Sequence, residues 1–411
     1  MTKRPHVVYW GTQPSPYVVD RFNAVADTGE LQFEAWFNQI REPDRSWNVD
    51  PTTWRFPTRL IQRGPRPRLP VAELRHARPD VLVQNFDRPH FALGFAAGTR
   101  YAKRGTFRVL PTFEAWSSRR PVGEMSKHLL FRAVDGAKVP GPGGTTEATK
   151  YGLPAERCFK VTQSINLRHF ASARDVETTV REARRAELGL RGTVFVYVGR
   201  LWSGKGLGHL IEAFRRATAS SADISLLIVG DGVDEQEYRR ATSDMPAVLF
   251  AGHVQPADLP EWYALSDCFV FPTLGDPNGL VVEEAMAAGL PVISTSAAGD
   301  IRLRVAEGVS GYIVEPADSG ALADRMLRFA SLDGPAREAL RRGAIQHASG
   351  FDVPRYAADF VRFIEAILAM PPRRTPARLA AKCLGVALLP FATATAAPLL
   401  DTQSARHLAA Q

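Results

Sequence analysis

At 411 residues, 45% of them apolar and 23% charged, the chain can build two hydrophobic cores, and its composition excludes a fibrous or disordered class. Three cysteines, Cys158, Cys268 and Cys383, are too few and too scattered for a disulfide framework or a zinc site, and they suit a reducing cytoplasm. Lys and Arg outnumber Asp and Glu by 51 to 43, a net +8, which favours phosphates, nucleic acid or an anionic membrane surface as partners without choosing among them.

In chain order, the start MTKRPHVVYWGTQP holds an apolar run of only four residues, so it reads as a first strand and not as a secretory signal. No stretch before the last forty residues is suited to crossing a bilayer. Strands are expected over 7–10, 31–37, 81–84, 107–110, 137–139 and 159–161, with helices over 17–26, 71–77, 91–103, 124–134 and 145–151. Arg59, Arg63, Arg66 and Arg68 lie in RLIQRGPRPRLP. That stretch lacks the interleaved aromatics of a single-strand-binding surface, which sets nucleic acid aside and leaves a solvated loop or a contact with anionic lipid or acceptor phosphate. Alternating strands and helices imply a parallel sheet covered on both faces, with ligands beyond the carboxyl ends of the strands. The loops there offer Gly11, Thr12, Gln13, Asp87, His90, Glu114 and Arg119.

An Arg-rich connector with one short helix is expected over 166–192. A second alternating series follows, with strands over 194–198, 224–229, 248–251, 268–271, 291–295 and 311–314 and helices beginning at 207, 234, 257, 280, 301 and 319. The predicted organisation is a first domain over 1–170, a second over 171–352, a helix over 353–370 returning to the first, and a tail over 371–411. In the tail, residues 383–400 are nearly uncharged but interrupted by Pro390 and Pro398. Basic flanks suit peripheral contact with a cytoplasmic leaflet, while a strap packed on the protein is the alternative.

Two loops of the second half carry chemistry. In VGRLWSGKGLGHLIEAF, Leu207, Leu210, Ile211 and Phe214 make one helical stripe, so the helix points its N-terminus at a Gly-rich turn flanked by Arg200 and Lys205. An Arg fork and a Lys charge beside a helix N-terminus form a diphosphate site. Gly199, Gly204 and Lys205 also satisfy most of the phosphate loop of nucleoside triphosphatases, but Gly206 stands where that loop needs a Ser or Thr for magnesium. In FVFPTLGDPNGLVVEEAMAAGLPVIS, a strand leads through a loop containing Asp276, Pro277 and Asn278 into a helix. Glu284 falls on the stripe of Val281, Ala285 and Ala288, where a carboxylate needs a partner. Asp276 and Glu284 are either ligand contacts or a helix cap and a structural charge. Asn278 tolerates a left-handed backbone if the loop must approach closely. After the strand at 291–295, Asp300 has the same two readings, ligand contact or cap.

An acidic residue, seven intervening residues with a central Gly, then Glu-Ala-Met-Ala and Gly-x-Pro-Val-Ile resembles the donor-sugar signature of the family-4 retaining glycosyltransferases, the glycosyl transferases of group 1. The first acid of that family is usually Glu, and here it is Asp276. The resemblance implies an α/β fold of two doubly wound Rossmann-like domains facing a central cleft, the GT-B architecture. It implies that Gly199, Arg200 and Lys205 neutralise a nucleotide diphosphate, and that Glu284 holds the ribose. Asp276 and Asn278, with the N–H groups of Gly279 and Leu280, would hold the sugar or its phosphate. FAGHV is similar to the base-binding turn, where backbone atoms near His253 and Val254 meet the nucleobase, although His253 also reads as a solvated turn residue. Val229-Gly-Asp-Gly232 matches a further turn of the family. A first-domain His common in the family is replaced by Glu114 in PTFEAWSS, with His90 on a neighbouring loop.

What the resemblance implies about activity is transfer of a sugar from a nucleotide diphosphate sugar to a glycan, lipid-linked or small-molecule acceptor. The alternatives are a non-catalytic nucleotide-sugar-binding protein and another GT-B enzyme, an epimerase or phosphorylase. No Asp-x-Asp motif or His/Asp/Glu cluster occurs in the second-half loops, so no cofactor and no metal are expected.

Overall fold

The computed structural model describes residues 3–40, 47, 49–61, 70–85, 100–108, 121–220 and 223–380. They form two compact units, one of the described residues up to Gln163 together with those from Val353 onward, the other of Ser164–Asp352. The unit boundary therefore falls at 163/164, where the sequence pattern suggested 170/171.

In the first unit the elements run β1 (His6–Gly11), α1 (Pro16–Asp27), β2 (Gln32–Phe37), β3 (Thr58–Leu60), α2 (Val71–Ala77), β4 (Val81–Asn85), β5 (Arg104–Arg108), α3 (Pro121–Ala133), β6 (Gly136–Val139), α4 (Pro142–Lys150) and β7 (Cys158–Lys160). The described strands make a parallel sheet in the order β3-β2-β1-β4-β5-β6-β7. Local chemistry starts α1: Ser15 Oγ accepts from Val18 N, and Pro16 supplies the fixed φ of a first helical turn. Phe22 of α1 meets Phe33 edge-on at 5.1 Å, and Phe33 meets Phe360 of the helix Val353–Ala369 at 5.9 Å. That last helix buries Tyr356, Phe360, Phe363, Ile364 and Ile367 in the first unit's core. Lys138 of β6 is buried, donates to Tyr356 Oη at 2.5 Å and lies 5.2 Å from the Tyr9 ring centroid. Aromatic faces thus replace part of the hydration its ammonium lost.

The second unit contains α5 (Leu167–Ala171), α6 (Thr178–Glu187), β8 (Thr193–Val198), α7 (Leu207–Ala219), β9 (Ile224–Val229), α8 (Glu235–Ala241), β10 (Val248–Gly252), α9 (Leu259–Ala264), β11 (Cys268–Phe271), α10 (Val281–Ala287), β12 (Val292–Thr295), β13 (Gly311–Val314), α11 (Ser319–Ala330) and α12 (Gly334–Ala348). Its parallel sheet has the order β10-β9-β8-β11-β12-β13, the doubly wound pattern whose direction reverses between β8 and β11. Every residue of β8 and β9 is buried, as covered faces require. The predicted stripe of α7 is the buried one: Leu207, Leu210, Ile211 and Phe214 join Phe195 and Leu226 in the core.

Several expectations need correction. The edge strand β3 was not predicted, and β5 starts at Arg104, three residues before its first large apolar side chain. The connector holds two helices, α5 and α6. The helix expected from Ile301 is a single tight turn, Ile301–Leu303. The fifteen-residue α12, started by an Asp333 cap on Ala336 N at 2.9 Å and by Pro335, was not predicted. Of the tail, the part up to Ala380 packs on the first unit: Arg378 pairs with the buried Asp135, and Arg373 Nη1 donates to Phe131 O at 2.8 Å. Residues 381–411 lie outside the described set, as do 91–99 of an expected helix.

Candidate active site

Two loops meet at the reversal point of the second unit's sheet. The turn after β8 is fixed from below, because Tyr197 Oη donates to Arg200 O at 2.9 Å and Leu201 N donates to Asp231 O at 2.7 Å. Burial pushes the Tyr197 phenol well above its ordinary range, so it stays a neutral donor. Gly206 adopts φ +70, and a Cβ there would lie 1.9 Å from Pro272 O. Only glycine lets the start of α7 press against the end of β11. Leu274 N then donates to Gly204 O at 3.1 Å, joining the two loops.

At that junction Lys205 Nζ pairs with the Asp276 carboxylate, both side chains mostly buried. Asp276 Oδ1 accepts from Asn278 N at 2.8 Å, and Gly299 N donates to Asp276 O at 2.8 Å. Asp276 is therefore not a helix cap. α10 begins at Val281, one residue later than expected, and its capping residue is Leu280. Asn278 is absent from the residues with positive φ, so a left-handed approach is not how the loop comes close. Arg200 is exposed, its guanidinium 6.0 Å from the Trp202 ring centroid.

Glu284 is fully buried on α10 and accepts from Tyr263 Oη at 2.9 Å, the partner its position demanded. The neighbouring Glu283 was overlooked. It is buried too and is held by Arg304, which donates through Nη2 at 2.5 Å to Glu283 Oε2 and at 2.5 Å to Gly279 O. Burial drives the Glu283 carboxyl up against the lowering pull of Arg304. A signal was in the sequence: a second acid, Glu283, stands in the otherwise apolar run VVEEAMAA, where a buried carboxylate needs a partner, and Arg302 and Arg304 follow about twenty residues later. Arg304 thus ties the first turn of α10 to the loop that carries Asn278 and Gly279.

His253, exposed, pairs with Asp231 at 3.4 Å, so the turn after β10 meets the turn after β9; Val254 is half-buried beside it. Asp300 takes φ +49 and its side chain does not cap the turn that follows. Gly199 ends β8, its N–H donating to Val229 O at 3.0 Å. In the first unit, Gly11 is buried at the end of β1, and Thr12 O accepts from Asn38 N at 3.1 Å and Gln39 N at 3.1 Å. Asp87, His90, Glu114 and Arg119 lie outside the described residues. Among the described residues no three His, Cys, Asp or Glu side chains gather as metal ligands.

Two Rossmann-like units with these sheet orders, one bearing an Arg/Lys turn and an acidic loop at its switch point, are those of a GT-B protein. Residues 192–331 match the family model described as Glycosyl transferases group 1. It is 32% identical over 217 residues to D-inositol 3-phosphate glycosyltransferase 1 of Catenulispora acidiphila, covering 49% of this chain and 50% of that protein. It is 35% identical over 138 residues to the capsular polysaccharide biosynthesis glycosyltransferase CapM of Staphylococcus aureus, covering 32% and 35%. The chain thus matches about half or less of these relatives' length. In fold it is similar to Anabaena HepE, solved with UDP: TM-score 0.70, 17% identity, covering 87% of this chain and 99% of that one.

Proposed function

We propose that this chain is a retaining glycosyltransferase that moves a sugar from a nucleotide diphosphate sugar to a carbohydrate or lipid-linked acceptor. The observation that carries the reading is the Lys205–Asp276 pair at the sheet's switch point, with Arg200 on the same turn as Lys205. Lys205 and Arg200 take up the negative charge that grows on the departing diphosphate, the term that most lowers the barrier of such a transfer. Asp276 orients the sugar and holds Lys205 in place before the donor arrives. Glu284, steadied by Tyr263, receives the ribose hydroxyls. The leaving phosphate oxygen takes the acceptor's proton on the face it departs from, so no second opposed carboxylate is required. Two side-chain cations do the neutralising, and we propose that no divalent ion is needed; activity unaffected by a chelator is the expected result.

HepE was solved with UDP, which makes uridine donors the first to try. The test is mass detection of nucleotide release from UDP-sugars in the presence of lipid and glycan extracts. Release that depends on the extract supports transfer. Tight nucleotide binding with no release under any acceptor would instead indicate a sugar-nucleotide-binding protein, and release of free sugar or an altered donor a different GT-B enzyme. For the acceptor side, we propose peripheral contact with the inner leaflet; among the described residues no helix is long and apolar enough to cross a membrane.

A further inference from the structure

The second unit has another basic concavity, at the opposite edge of its sheet. A cavity of about 350 Å³ lies against the amino ends of β11 and β12, walled by Asp267, Leu290 and Pro291. Four arginines line it, Arg174, Arg181, Arg337 and Arg341, against two carboxylates, Asp267 and Glu338. Asp267 is already spent: Arg181 and Arg185 both pair with it, and Val194 N donates to it at 2.8 Å. Glu338 reaches Arg341 only at 3.4 Å. The remaining positive charge has no matching acid in the wall.

Two further observations support an anion there. Arg174 and Arg341 converge over Gly289, where a Cβ would lie 3.2 Å from Arg341 Nε and 3.5 Å from Arg174 Cδ. Two arginine side chains thereby pass over one backbone position. The N-terminus of α6 also reaches the cavity, at Thr178, and has no side-chain cap. A helix N-terminus adds partial positive charge and backbone donors to the same space.

From this geometry we infer a second anion site, distinct from the Arg200/Lys205 turn, that binds a small phosphomonoester. The volume suits a sugar phosphate, near the lower bound of ordinary ligand pockets. Arginine forks recognise phosphate oxygens in pairs, and a phosphomonoester presents three of them. The site does not depend on the proposed transfer activity. One wall residue links it to the other edge of the sheet, since Tyr263 lines the cavity and donates to Glu284.

The experiment is calorimetric titration of the full chain with inorganic phosphate and with glucose 6-phosphate. The expected result is saturable binding that Arg174→Ala with Arg341→Ala weakens by about tenfold or more, a loss of charge-assisted contacts. Arg200→Ala with Lys205→Ala should leave it within about twofold. The single variant Arg174→Gln, at an exposed side chain whose Nε donates to Ala171 O at 3.2 Å, guards against misfolding of the double variant. Its melting temperature should equal that of the parent while affinity falls. Binding lost with the Arg200/Lys205 pair and kept in both cavity variants overturns the inference, as does no binding of either probe up to ~10 mM.

Discussion

Lys205 and Asp276 were each legible as functional residues from motif spacing, but their pairing was not. They are 71 positions apart, and the close approach of Gly206 to Pro272 with the Leu274 N to Gly204 O bond brings their loops together. The pairing changes what a substitution should do. Asp276→Asn removes the charge that neutralises Lys205, so nucleoside diphosphate affinity should hold or rise, while sugar transfer falls by about a hundredfold because an interaction needed in the transition state is gone. Melting temperature and transfer measured on one sample decide it: full activity would mean the sugar is held elsewhere. Arg200→Ala with Lys205→Ala should weaken UDP binding by at least about tenfold in calorimetry, each residue being worth ~1.5–3 kcal/mol as a charge-assisted donor. At the same scale, in the first unit, Glu34 carries a pH dependence. Burial alone would raise its carboxyl, yet hydrogen bonds from His6 and Trp36 and the charge of Arg59 hold it below the usual value. A depressed folded value means stability that is present above the unfolded glutamate pKa of ~4.3 and lost as pH falls through the folded one. Melting temperature should therefore drop between about pH 5 and about pH 3, and Glu34→Gln should flatten that part of the curve.

Among elements, the strands were readable wherever both faces are covered, because β8, β9 and β11 are nearly continuous apolar runs. β3 escaped because three residues at a sheet edge, Thr-Arg-Leu, carry no period. α12 escaped for a different reason: it buries only Leu340, Gly343, Ala344 and Ala348, so apart from Leu340 its buried stripe is made of small residues, and Gly343 fits because its backbone lies against Val309 O. α10 was found, but the device that holds it was not. Arg304 grips Glu283 and the Gly279 carbonyl together, so the loop bearing Asn278 is set by a buried ion pair as well as by its own turn. Arg304→Ala leaves Glu283 as a buried, unpaired acid and should cost ~3–5 kcal/mol in urea unfolding of the chain. Arg304→Met with Glu283→Leu should recover most of that stability, since two apolar groups of similar size replace two charges. UDP affinity that stays low in the recovered double variant would show that the pair positions the loop; affinity restored with stability would show that it only supports the fold.

On the scale of the whole chain, the sequence showed two alternating series and the returning helix. It did not show that residues beyond that helix still belong to the first unit. Arg104 Nη2 donates to Met370 O at 2.8 Å, Arg157 Nη2 to Pro371 O at 3.0 Å, and Arg378 buries its charge against Asp135. Arginine side chains reaching backbone carbonyls leave no hydrophobic period to read, which is why the sequence left membrane contact and a packed strap both open for this stretch. These residues also help to wall a cavity of about 790 Å³ in the first unit, lined by Arg100, Lys103, Arg104, Arg373, Arg374 and Arg378 with Leu379 two-thirds exposed beside them. The nearly uncharged residues 383–400 follow directly in sequence. A cluster of cations next to an apolar run is the pairing that holds a protein on an anionic bilayer, each basic residue near the surface being worth ~1 kcal/mol. The truncation that tests this has to spare the fold. A chain ended after Met370 loses the Arg378–Asp135 pair and strands a buried carboxylate, so its behaviour on membranes would be mixed with destabilisation. A chain ended after Ala380 keeps every described contact of the first unit and all six basic wall residues. On vesicles containing phosphatidylserine it should partition far less than the full chain at low salt, with an unchanged melting temperature. Equal partitioning of the two chains would place any membrane contact in the basic cavity alone, and equal partitioning into neutral vesicles would remove the electrostatic half of the argument.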